Sequence, residues 1–160
     1  MSGAITNNDN VFRYPLDVRF FEVDSLGVVF NMWYLGWCDE AMSAFMESIG
    51  YGYATLRAEG FDAVLRNAQI EWVDSLEAFQ HAEIEVRVDH AGTTSFRLRY
   101  DIDRVDQPGQ GRTRCAHVEI TYVCVELSAA ARLRCLLVCA RPWSGIAADP
   151  RPRTAAGVCG

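Results

Sequence analysis

Lysine is absent: all 15 basic residues of this 160-residue chain are arginine. Histidine is nearly so, with His81, His90 and His117 the whole supply. The positive charge is also outnumbered, by 21 acidic residues, for a net charge of −6. An acidic chain of this kind is a poor non-specific binder of nucleic acid, which draws its affinity from neutralised phosphates. No apolar stretch reaches the length needed to cross a bilayer. The opening MSGAITNNDN has no basic segment followed by an apolar run, so it does not read as a secretory signal. These absences lead us to expect a cytoplasmic protein with no membrane and no nucleic-acid partner. Its six cysteines (Cys38, Cys115, Cys124, Cys135, Cys139, Cys159) are then expected to be reduced, small buried hydrophobes. Cys135-x-x-x-Cys139 lacks the second Cys or His pair of a zinc site. There is no Gly-x-Ser-x-Gly elbow and no phosphate-cradling glycine loop.

What is present fits one domain with an ordinary core, since half the residues are hydrophobic. Residues 1–10 read as a flexible leader. Residues 11–23 are rich in aromatic and β-branched side chains and predict a first strand, with Pro15 marking an edge or a bend. Residues 61–73 predict a long bent strand, although their first half also admits a helical reading. Residues 82–90, 94–103 and 113–125 alternate in polarity and predict three more strands, the last two joined through the loop DQPGQG. Residues 53–59 could add a helical turn or two.

Residues 20–50 organise the rest. Asp24 and Gly27 sit in a short turn. A helix should begin near Asn31 or Met32, with Asn31 as N-cap, and end at Gly50, which tolerates the left-handed C′ conformation. Tyr34, Cys38, Met42, Phe45 and Ile49 follow at helical spacing. Residues 32–38 carry no charge on any face, which predicts a buried first half. One helix with a mostly antiparallel run of strands is α+β. A single helix cannot cover a flat five-stranded sheet, so the sheet must curl round it and its edges invite self-association.

In this order, Asp24-x-x-Gly27-x-x-x-Asn31-x-x-Tyr34 resembles the signature of the hotdog-fold acyl-CoA thioesterases of the 4-hydroxybenzoyl-CoA thioesterase type. The resemblance spans roughly residues 11–125 and is firm through Ile49. It implies a hotdog fold, one long central helix wrapped by a curved, mostly antiparallel five-stranded sheet. It implies hydrolysis of an acyl-CoA or acyl carrier-protein thioester, with CoA as part of the substrate and no other cofactor or metal. It also implies a homo-oligomer, a dimer or a homotetramer. Asp24 would be the nucleophile or general base, because thioester hydrolysis needs a carboxylate to attack the acyl carbon or to activate water. The Asn31 peptide N–H, at a helix N-terminus, would stabilise the oxyanion, and Gly27 would let the turn approach the thioester. Val28, Phe30 and Tyr34 would line the acyl site, and Thr94 and Ser95 would lie near the CoA arm. Many relatives have histidine where this chain has Val28, which moves the burden onto Asp24.

Bland readings stand beside these. Asp24 could be a turn residue, Gly27 an ordinary turn glycine, Asn31 a structural cap, and Trp33, Tyr34 and Trp37 plain core. Glu59 is an alternative carboxylate. Arg87, Arg97 and Arg99 could meet phosphate or simply be solvated. A non-catalytic acyl-thioester binding module of the same fold is the main alternative function. A dehydratase is weaker, because no histidine falls on the helix and no Asp–His pair is visible. The domain is expected over 11–126. Beyond it, 127–160 is an Ala/Arg/Cys-rich extension, with 129–140 open to a helical reading and an irregular, proline-bearing tail from Pro142.

Overall fold

The computed structural model describes residues 4–6, 11–105 and 111–127. Its strands are β1 (Ala4–Thr6), β2 (Val11–Asp17), β3 (Phe61–Trp72), β4 (His81–Ala91), β5 (Ser95–Val105) and β6 (Arg112–Glu126), with helices α1 (Met32–Ser48) and α2 (Tyr53–Ala58). The sheet order is β1-β2-β4-β5-β6-β3, antiparallel throughout. This is the expected α+β hotdog arrangement of five long strands and one long helix in a curved sheet. A short sixth strand comes from the stretch expected to be a leader: Ala4, Ile5 and Thr6 pair with Arg13, Phe12 and Val11. The possible helix over 129–140, the tail from Pro142 and most of the DQPGQG loop lie outside the described residues.

The first strand is shorter than its composition suggests. It ends at Asp17, and Phe20–Glu22 form a single 3-10 turn instead of continuing the ladder. Val18 and the segment after β3 exchange the last backbone bonds, Val18 N–H to Gln80 O and Phe79 N–H to Val18 O, both at 2.9 Å. Pro15 pairs opposite Glu83, while β1 covers only Val11 to Arg13 on the other side.

Helix α1 lays Tyr34, Trp37, Cys38, Ala41, Phe45 and Met46 on the sheet, a stripe at i, i+3 and i+4 spacing. It meets Phe12, Ile84, Val86, Leu98, Tyr100, Ile102, Val118, Ile120 and Tyr122 from the inner face. Its C-terminus closes as expected. Gly50 is left-handed at φ 81°. Its N–H reaches Glu47 O at 3.0 Å, and the Tyr51 N–H reaches Met46 O at 2.9 Å. That pair of bonds is a Schellman motif. The first turn departs from expectation: Met32 is 61% exposed and Gly36 is exposed, so 32–38 is uncharged without being buried all round.

The outer face of the sheet is a lattice of paired charges. Arg13, Glu85, Asp101 and His117 stand in register across β2, β4, β5 and β6. Arg13 holds Glu85 at 2.7 Å, and Arg114 holds Asp101 at 2.8 Å. Cys38 and Cys115 are free, whereas Cys124 is disulfide-bonded, contrary to the expectation that every cysteine is reduced. No described helix is long and apolar enough to cross a membrane.

Candidate active site

Residues 22–30 form a small hairpin that leads straight into α1. Phe30 N–H donates to Glu22 O and Asp24 N–H to Val28 O, each at 2.9 Å, with a bridge between Val23 and Val29. Its tip, Asp24-Ser25-Leu26-Gly27, is a turn closed by Gly27 N–H to Asp24 O at 3.0 Å. Aspartate at the first position and glycine at the fourth suit such a turn. Gly27 has φ 79°, and a Cβ there would meet nothing within 4 Å. Its glycine is therefore required by backbone conformation, and not by close packing. The hairpin is tied to the end of the sheet through Val29 N–H to Leu76 O at 2.8 Å and a bridge from Val28 to Glu77.

Asp24 is half-buried. Its Oδ1 accepts from the Leu26 N–H at 2.8 Å, which stabilises the turn. Oδ2 has no partner among the described residues. Asn31 occupies the N-cap position, as the sequence suggested, but its backbone is already helical (φ −52°, ψ −28°) and its side chain makes no cap bond. The side-chain capping role is thus not realised. The Asn31 N–H has no acceptor among the described residues, and the residue is exposed. A carboxylate and a helix N-terminus with an open donor therefore share one short segment.

The remaining sequence candidates divide. Val28 is half-buried and Phe30 exposed, both beside the turn. Around them Phe20 stacks on Phe79 (6.3 Å between ring centres) and Phe21 meets Trp33 edge-on at 5.4 Å. Phe20, Phe21, Leu26, Phe30, Met32 and Phe79 make this end of the molecule an exposed apolar surface. Tyr34 lies in the core against Trp37 and Trp72. Burial, and then Cys115 nearby, push its phenol up to about 12. Thr94 and Ser95 are not beside Asp24. The hairpin sits near Cys115, whose carbonyl accepts from Val73 and Asp74, whereas Ser95 pairs with Val123. Eight residues of β6 separate the two ends, roughly 26 Å at strand rise.

Glu59 caps the end of α2 and is exposed. Arg87, Arg97 and Arg99 are partly buried and each is paired with a carboxylate. Arg87 pairs with Glu85 at 2.9 Å, and Arg97 and Arg99 pair with Asp89 at 3.3 and 2.7 Å. Two Asp–His contacts that the sequence did not reveal are present, His81 with Asp17 at 2.5 Å and His117 with Asp101 at 2.7 Å. Neither involves α1 or the Asp24 turn. The sequence reading also passed over Glu22, which is fully buried and accepts from Trp37 Nε1 at 3.0 Å. The one signal for it was an acid inside an otherwise apolar FFEV run.

Known proteins resemble this chain in both fold and sequence. A 1,4-dihydroxy-2-naphthoyl-CoA thioesterase from Synechocystis superposes with a TM-score of 0.71 at 22% identity, over 83% of this chain and 92% of that one. A 4-hydroxybenzoyl-CoA thioesterase, an aspartate-to-asparagine mutant complexed with 4-hydroxybenzoyl-CoA, does so with a TM-score of 0.70 at 18% identity, over 78% and 90%. An Aquifex aeolicus (strain VF5) protein described as a candidate esterase is 28% identical over 95 residues, 59% of this chain and 74% of the relative. The sequence model of the thioesterase-like superfamily matches residues 18–144, taking in the Asp24 hairpin, α1, the four strands that follow and part of the extension beyond 126. With most of its length accounted for in this way, the chain belongs to the thioesterase-like superfamily.

Proposed function

We propose that this protein hydrolyses an acyl-CoA or acyl carrier-protein thioester to the free acid and thiol. The observation that carries the reading is the placement of the half-buried Asp24 carboxylate seven residues before the Asn31 N–H, on a hairpin rooted in the helix start. Asp24 supplies a carboxylate oxygen that either attacks the acyl carbon or takes a proton from water. The Asn31 N–H faces the oxygen on which negative charge develops, at the positive end of the helix dipole. The solved relatives named as CoA thioesterases, one of them holding its CoA ester with an aspartate replaced, support the same class of substrate.

The active form is a homo-oligomer, a dimer at minimum, built on the free edge of β3. Leu65 and Trp72 pair with the inward-facing Tyr122 and Ala116, yet they are 47% and 49% exposed, because no other described strand flanks β3. Two β3 edges meeting antiparallel about a two-fold axis would cover them. Such a pairing would also bring the Thr94–Ser95 end of one copy towards the Asp24 end of the other.

One observation favours the second reading, a non-catalytic acyl-thioester binding module: Asp24 Oδ1 is occupied in closing its own turn. A panel of aromatic, short-chain and long-chain acyl-CoA esters with thiol detection separates the two. Release from at least one ester that is lost in Asp24→Asn supports hydrolysis. CoA binding without release from any ester supports the module.

A further inference from the structure

The most deeply buried acidic side chain in the described structure is Glu22, at 0% exposure, two residues before Asp24. Its Oε1 accepts from Trp37 Nε1 at 3.0 Å and from Arg19 Nη2 at 3.2 Å. Its Oε2 accepts from the Arg19 backbone N–H at 2.7 Å. All three partners are donors, which suits an acceptor-only carboxylate. Its own carbonyl accepts from the Phe30 N–H at 2.9 Å, the bond at the base of the Asp24 hairpin. One residue thus joins three elements: the 3-10 turn, the hairpin and the second turn of α1. A carboxylate taken this far out of water is retained only against compensating donors. A plain core position between Trp37 and the sheet would be better served by an apolar side chain.

Resting on the thioesterase reading of the Asp24 hairpin, we infer that Glu22 is a positioning residue for that reaction, setting the register between the Asp24 carboxylate and the N-terminus of α1 by tying the hairpin base to Trp37. The hairpin has no other side-chain bond to α1 among the described residues. Its other ties are backbone bonds, to the end of the sheet through Leu76 and Glu77 and to the first turn of α1 through Trp33 N–H to Phe30 O at 2.9 Å. If the Glu22–Trp37 link is lost, the backbone bonds at Phe30 remain but the Asp24 end of the hairpin can shift relative to the Asn31 N–H.

Glu22→Gln tests this, because an amide must turn an NH2 towards one of the present donors. Steady-state kinetics on the best acyl-CoA ester should show kcat down about tenfold to a hundredfold, the scale of an ångström-sized misplacement, with KM little changed. The indole N–H resonance of Trp37 should shift and exchange faster with solvent. Trp37→Phe removes the donor from the other side and should lower kcat in the same way. The double variant should lose little more than the worse single one, as expected of residues acting through one contact. A lower melting temperature with kcat per folded molecule within about twofold of wild type, in Glu22→Gln or in Trp37→Phe if the former does not fold, overturns the inference and leaves the thioesterase reading standing. A wild-type protein that hydrolyses no ester overturns both together.

Discussion

The Leu26 amide nitrogen lies 2.8 Å from Asp24 Oδ1, so one oxygen of the carboxylate holds the turn and the other has no partner among the described residues. Asparagine keeps an oxygen that can accept the same bond, while alanine does not. Asp24→Asn is therefore the clean variant. It should lower kcat by at least ~10², the scale of losing a general base, with no change in melting temperature. Near wild-type turnover would move the role elsewhere, and Glu59 would be replaced next.

Two glycines should respond to alanine with opposite signs. At Gly27 the backbone is left-handed, so Gly27→Ala should cost about 1–2 kcal/mol of unfolding free energy although its Cβ meets nothing. At Gly36, inside α1, the nearest atom to a Cβ is on Trp33 at 3.8 Å, an ordinary contact. Gly36→Ala should therefore stabilise by about 0.5–1 kcal/mol. Urea titration of both variants checks this, and a matching sign would contradict the geometry.

Alkaline pH should unfold the protein more steeply than its charge alone requires. Burial raises the phenols of both Tyr34 and Tyr100 above their ordinary value of 10.0, Tyr34 to about 12. The folded state thus favours the protonated phenol. Its contribution is complete below the unfolded value near 10 and is lost as pH rises from there towards about 12. Stability measured by urea unfolding between pH 8 and 12 should fall across that window, and Tyr34→Phe should flatten part of the fall. A curve unchanged in that variant would remove Tyr34 from the account.

Assembly through β3 predicts a dimer or larger species by light scattering at micromolar concentration. Leu65→Asp puts a charge on the half-exposed inner side of that edge. It should shift the population towards monomer and lower activity, while the monomer keeps its secondary structure. A monomeric wild type, or a Leu65→Asp variant of unchanged mass, would dismiss this interface.

The sequence was most legible where one physical signal acted alone. The alternation in 82–90 and 94–103 gave β4 and β5 to within a residue or two, and Gly50 marked the helix end through its need for positive φ. The Asp24–Gly27 turn and the Asn31 helix start were equally plain. What stayed hidden depended on tertiary partners. The apparent strand over 18–23 bends away because Glu22 finds Trp37 fifteen residues on. Arg87, Arg97 and Arg99 looked free because the carboxylates that neutralise them come from neighbouring strands or from two residues along the same strand. The contrary distance between Asp24 and Thr94–Ser95 could not be read from spacing at all, since it is set by which ends of β5 and β6 the chain visits.

The irregularity in β3 has a consequence for insertions and deletions. Leu65 pairs with Tyr122 and Asn67 with Thr121, so Arg66 is the extra residue of a bulge. Ahead of it the odd-numbered Phe61 and Ala63 pack on the core; beyond it the even-numbered Ala68 and Ile70 do. The bulge acts as a phase change written into the strand, and it is the reason the pattern of 61–73 reads ambiguously. Removing Arg66 alone would straighten the ladder, because Leu65 opposite Tyr122 would be followed directly by Asn67 opposite Thr121 with the later register kept. Leu65, Ala68 and Ile70 would stay opposite the inward-facing Tyr122, Ile120 and Val118. Replacing Arg66 and deleting it should therefore both be mild, with the melting temperature nearly kept in either variant.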